Sequence, residues 1–168
     1  NDIDTMKKNM NSLTNREYKR MISSMLDDFV NSRVLSLGFK DYIQLTHLAM
    51  DYGLYGMAFK LLKSGKMIFQ EKNGTNWKLY YLASLKLHTQ TLQLDQFMAV
   101  LQSWIKNKDA YVFTPGCLRR LKSYSRFFKK NSGNMDNFDA DKLKELEQNI
   151  QVLKTKYLEN KYKGLNDM

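Results

Sequence analysis

Arg119, Lys122, Arg126 and Lys129 recur at spacings of three and four, with Arg120 and Lys130 beside them. On a helix that spacing gathers four cations on one face. Repeated Lys/Arg groups contact the phosphates of a nucleic-acid strand, and released counterions strengthen the association. The surrounding composition points the same way. Residues 101–130 hold 8 basic and 1 acidic side chains, and no acidic residue occurs from Ala110 to Met135. The whole chain has 27 Lys and Arg against 17 Asp and Glu, a net charge of +10, so most of the excess sits in this stretch. Trp104, Tyr111 and Phe113 are candidates for stacking on unpaired bases, with Phe127 also close in sequence. A solvated helix face with those aromatics buried accounts for the same pattern. A third reading is contact with an acidic protein or an anionic membrane. Insertion into a membrane is the weaker option, because the stripe has no apolar face beside it.

Equipment for other chemistry is sparse. His47 and His88 lie 41 residues apart, and neither has a metal-ligating partner at i+3 or i+4. Cys117, the single cysteine, excludes an internal disulfide framework. It lies near Arg119, Arg120 and a helix start, an environment that activates a thiol, but catalysis also needs a base nearby. Asp27 and Asp28 are adjacent and therefore point to different helix faces. There is no Walker loop and no dinucleotide fingerprint. The expectation is a non-enzyme with no metal and no cofactor. The ten methionines fall at helical spacing among other apolar residues and read as core filler.

The elements that must position the stripe follow from length and pattern. The 168 residues are one domain's worth, with 43% hydrophobic and 26% charged side chains. One proline and 8 glycines are too few for the turns of an all-β sandwich or barrel, and no apolar run is long enough to span a membrane. The chain starts at Asn1 with no signal or transit pattern, which is expected of a fragment or a processed product.

Residues 1–13 form a polar arm, and a single domain is drawn over 14–168. Thr14 and Glu17 read as a capping box with Leu13 and Tyr18 as its hydrophobic staple, opening a helix over 15–31. Further helices are expected over 40–52, with Gly53 as C-cap, and from 54 to about 64–69. A turn at 72–76 precedes a helix over 77–90, and after a break at 91–93 a fifth carries Leu94 to Ile105. Thr114 and Pro115 start the cationic helix as N-cap and first position, and it runs to Lys130. A polar loop over 131–137 leads to a last helix after Asp139. Its seam of Leu143, Leu146, Ile150, Leu153 and Tyr157 is too short for a free coiled coil and packs on the body. The expected class is all-α, with a helix over 14–38, stacked antiparallel helical hairpins over 39–130 forming a short α-solenoid, and the loop and C-terminal helix over 131–168.

The hairpins repeat. Tyr42–Leu45 with Gly53–Leu62, and Trp77–Tyr80 with Leu94–Leu101, are two copies offset by about 35–40 residues. Gly53, Tyr55 and Ala58 match the tetratricopeptide Gly-x-Tyr-x-x-Ala spacing. Residues 118–125, preceded by Thr114 and Pro115, look like the first helix of a pentatricopeptide unit. Over roughly 40–130 the chain resembles these two families. The second copy departs from the pattern, lacking the turn glycine and placing Phe97 at a small-residue position. The pentatricopeptide resemblance implies RNA as partner, single-stranded favoured, in organellar RNA metabolism or translation, and a mitochondrial matrix location. It also implies membership of a larger assembly. The tetratricopeptide resemblance implies instead a protein-interaction scaffold for an acidic partner, in the cytoplasm. On either reading the protein is intracellular.

Overall fold

The computed structural model describes residues 15–31, 37–69, 74–107, 114–136 and 138–166. Among them all regular structure is helical: α1 (Asn15–Asn31), α2 (Phe39–Asp51), α3 (Tyr55–Met67), α4 (Gly74–Gln90), α5 (Leu94–Lys106), α6 (Pro115–Lys130) and α7 (Ala140–Asn166), with a 3-10 turn at Ser132–Asn134. The fold is all-α, built of antiparallel helical hairpins. Where the sequence draws one domain from residue 14, contacts group the chain into two compact units, Asn1–Ile68 and Phe69–Met168.

In the first unit, α2 and α3 form a tight hairpin, and α1 lies on both. Ile22 and Leu26, one turn apart on α1, are fully buried, while the other side of the helix is solvated. The capping box expected at Thr14 falls outside the described residues. α2 starts one residue earlier than its apolar pattern indicates, because the Asp41 carboxylate accepts the Gly38 backbone N–H at 2.9 Å and closes the first turn. Gly53 has a φ of +69°, as a C-cap glycine requires. Its N–H donates to the Met50 carbonyl at 3.0 Å, and the Leu54 N–H donates to that of Ala49 at 2.9 Å. This pair of bonds is the Schellman arrangement, and it satisfies carbonyls the helix leaves open. Small residues then let α3 approach α2. Ala58 is fully buried, and a Cβ added at Gly65 would lie 2.9 Å from the Cβ of Tyr42.

The second unit repeats the hairpin with larger side chains. The α4–α5 turn keeps the same bonds: Leu92 N–H to Thr89 at 3.1 Å and Gln93 N–H to His88 at 2.9 Å. Leu92 stands 39 residues after Gly53 and carries a φ of +54°. The turn glycine is therefore replaced without loss of the turn, at the steric cost of a left-handed leucine, about 1–2 kcal/mol. At the same offset Phe97 replaces Ala58 and Trp104 replaces Gly65, and both are buried. The pattern is kept, while the space between the paired helices is filled by rings instead of closed by backbone approach.

α4 departs from its expected one-sided face. Tyr81, Leu82, Ala83, Ser84 and Leu85 are consecutive and all buried, as suits a helix packed on both α5 and α6. It also begins at Gly74 instead of Trp77, so part of the expected turn forms its first turn. The second hairpin of this unit, α6 with α7, stacks on the first: α6 lies on α4 and α7 on α5. The α5–α7 contacts advance together along both helices. Lys142 pairs with Asp95 at 3.1 Å, Gln102 meets Glu145 at 3.5 Å, and the Lys156 ammonium donates to the Ile105 carbonyl at 2.7 Å. The two helices thus run parallel, as second helices of stacked hairpins do. Lys156 also supplies positive charge at the C-terminal end of α5, where the helix dipole favours it. Leu146, Ile150 and Leu153 of the α7 seam enter the same core as Leu101, Leu121 and Phe128, so the seam serves the body as expected.

Candidate nucleic-acid interface

The cationic helix forms where its local signals put it. The Thr114 hydroxyl oxygen accepts the Cys117 backbone N–H at 3.3 Å, and Pro115 takes the first position, where a missing N–H costs nothing. Cys117, Leu121, Ser125 and Phe128 are buried, with Leu118 and Tyr124 half-buried. This inward face is held by the hydrophobic effect against α4 and α7. The opposite arc is left to solvent, and Arg119, Arg120, Lys122, Arg126, Lys129 and Lys130 are all exposed on it. Lys129 and Lys130 lie in the last turn, where the carbonyl end of the helix favours cations. Among the described residues, none of Arg119, Lys122, Arg126 and Lys129 is ion-paired. Burial pushes the Tyr124 phenol above its ordinary value, and the Arg120 charge beside it opposes that rise. The phenol stays neutral and adds no anion to the stripe at neutral pH.

The stacking candidates fare differently. Trp104 is 2% exposed, and its ring stacks on Tyr81 at 5.4 Å with planes 12° apart. Tyr81 stacks in turn on Trp77 at 5.3 Å, so three rings form a continuous pile inside the unit. The Asn107 amide donates to the Tyr81 hydroxyl at 3.0 Å and satisfies its polar end. Trp104 is therefore corrected from a stacking platform to a core residue: a large apolar ring 39 residues after Gly65 fills the gap that glycine closes in the first hairpin. Tyr111 and Phe113 lie outside the described residues. Among the described residues, Phe127 is the aromatic left at the surface, 40% exposed, with Arg120 two turns before it and Lys130 one turn after.

A second feature was invisible to spacing along one helix. Between α6 and α7 runs a groove of about 290 Å³ lined by Lys122, Ser125, Arg126, Glu147, Ile150 and Gln151. Lys122 and Arg126 come from the stripe. Glu147 and Gln151, four residues apart on α7, form the facing wall, and buried Ile150 lies between them at its base. The usable signal was the α7 seam itself: once Ile150 faces α6, its neighbours at i−3 and i+1 border that contact.

Cys117 is buried, and the Thr114 hydroxyl donates to its Sγ at 3.3 Å. His88 hydrogen-bonds through Nδ1 to the Gln93 amide oxygen at 2.9 Å, and burial holds its imidazole below the ordinary value. His47 is half-buried on α2. Among the described residues no three His, Cys, Asp or Glu side chains gather as a metal site, and no helix is long and apolar enough to cross a membrane.

Comparison with known proteins adds one relative. No family model matches the chain, and no solved structure matches it. A Saccharomyces cerevisiae protein (strain ATCC 204508 / S288c) named Protein PET111, mitochondrial, is 27% identical over 152 residues. The match takes in 90% of this chain and 19% of that protein, so the chain spans about a fifth of its relative's length. The chain is thus similar, nearly end to end, to a segment of a mitochondrial protein.

Proposed function

We propose that this chain is a non-enzymatic helical-repeat module that binds single-stranded RNA through α6, within mitochondrial RNA metabolism or translation. The observation that carries the reading is the exposed arc of α6. Its cations stand in solvent, without ion-pair partners among the described residues, on a helix with no carboxylate of its own. Arg119, Lys122, Arg126 and Lys129 are assigned to phosphates, with Arg120 and Lys130 at the flanks. Phe127 takes the stacking role first given to Trp104. An unpaired base offers its face to such a ring, whereas a base within a duplex does not. The mitochondrial setting is supported by the name of the relative and by the pentatricopeptide resemblance, and the same resemblance supports a place in a larger assembly.

The test is a salt titration of binding to a short single-stranded RNA. Four phosphate contacts predict a slope of log affinity against log salt near −0.7 per contact, about −3 in all. Changing Arg119, Lys122, Arg126 and Lys129 together to Gln keeps helix propensity. The variant should stay folded, lose most of its affinity and show a flatter slope. Phe127→Ala should weaken binding to a single strand and leave duplex binding unchanged. A parent protein without measurable RNA binding at low salt refutes the reading, since non-specific attraction alone should then be visible. The stripe would in that case serve an acidic protein segment, which the same titration repeated against an acidic peptide would detect.

A further inference from the structure

We propose that the groove between α6 and α7 is a base-reading site that prefers cytosine and adenine, whose exocyclic amine stands where uracil carries its O4 carbonyl, over uracil. The proposal rests on the RNA reading of α6 and adds to it a specificity that phosphate contacts cannot supply.

The groove's two walls differ in chemistry. Lys122 and Arg126 on one side are donors only, while the Glu147 carboxylate opposite is an acceptor only. Opposite charges that share a groove ordinarily close on each other. Here, among the described residues, no ion pair joins Glu147 to either cation within 4.0 Å. The space between them is about 290 Å³, room enough for a single base. Its base is the apolar side chain of Ile150, a surface for the face of a ring. Gln151, one turn beyond Glu147, can donate or accept. A nucleotide entering from the stripe therefore finds its phosphate drawn to Lys122 and Arg126, and its base edge turned toward Glu147 and Gln151.

The carboxylate decides among bases. Cytosine and adenine present an amino group that donates to it. Uracil presents a carbonyl at the corresponding position, and two acceptors then face each other. A site built around a fixed acceptor rejects such an analogue, because the carboxylate loses its water without gaining a partner. Glu147 is also the reason for a charge of the wrong sign beside a phosphate-binding stripe: it lowers general affinity there and gains discrimination.

The experiment measures binding of the chain to single-stranded oligo(C) and oligo(U) at neutral pH, for the parent and for Glu147→Gln. Glu147 is exposed, so folding of the variant is expected and is checked by its helical spectrum and melting. The parent should bind oligo(C) roughly three- to tenfold more tightly than oligo(U). In Glu147→Gln the ratio should fall to about one, mainly because oligo(U) binds better, since the amide can also donate. The change in ratio cancels any difference in how the two strands stack on themselves. An unchanged ratio, with both affinities rising equally, would mean that Glu147 acts only as a repelling charge and would overturn the proposal. A parent that binds both strands alike, with the slope expected of the stripe, would overturn the base-reading site alone. A parent that binds neither strand would remove the RNA reading and this site together.

Discussion

Gly65→Ala and Gly56→Ala, two identical changes in α3, should have opposite effects on stability. A Cβ at Gly65 would stand 2.9 Å from the Tyr42 Cβ, whereas a Cβ at Gly56 meets nothing within 4 Å. Carbon atoms pack at about 3.5–4.0 Å, so the first contact is too short by roughly 0.6–1.1 Å. Tyr42 Cβ is tied to the α2 backbone and cannot rotate away, so relief requires the helices to part. Overpacking of this kind costs about 1–3 kcal/mol. Alanine recovers up to about 1 kcal/mol through its better helix propensity. The net expectation for Gly65→Ala is a loss of up to about 2 kcal/mol, and no gain. Gly56→Ala has no such contact and should gain up to about 1 kcal/mol, less if its place in the first turn dilutes the propensity effect. Urea unfolding followed by the helical circular-dichroism signal measures both. If Gly65→Ala gains as much as Gly56→Ala, α2 and α3 do not meet at Tyr42 and Gly65, and the account of a glycine-closed first hairpin fails.

Two further outcomes follow from the turns. Gly53→Ala forces a side chain into a left-handed backbone and should cost about 1–2 kcal/mol, whereas Leu92→Gly relieves that strain while adding unfolded-state entropy and should stay within about 1 kcal/mol of the parent; equal losses in the two variants, read from the same unfolding curves, would show that the turns are not equivalent. His88 is half-buried, and that burial holds its imidazole below the ordinary value, so the unfolded chain binds its proton more readily. Stability from this group is therefore present above the ordinary imidazole value of 6.5 and is lost as pH falls below it. His88→Gln should flatten the slope of unfolding free energy between neutral and mildly acidic pH, and an unchanged slope would assign the dependence to other groups.

The periodic segments of this chain were legible from spacing and caps alone. α1 and α6 keep the boundaries read from the sequence, Asn15–Asn31 and Pro115–Lys130. Gly53 is left-handed as expected, and the exposed cations of α6 lie opposite its buried face. All of these depend on interactions within a few residues: a 3.6-residue period, an N-cap hydroxyl, a glycine free of a Cβ. Other features depend on which face meets which, and local periodicity is silent about that. Trp104 looked like a ring available to a base, yet it is the end of a pile with Tyr81 and Trp77, because α4 and α5 pair there. Leu92 carries a backbone angle its side chain opposes, because the hairpin around it demands the turn. Glu147 and Gln151 border Lys122 and Arg126 across more than twenty residues of sequence, because Ile150 is drawn into a core shared with Leu121 and Phe128. The sequence by itself determined the helices and the charge on α6. Tertiary packing decided which aromatics reach solvent and which carboxylate stands beside the cations, since burial is a property of pairs of surfaces and a sequence specifies each surface one at a time.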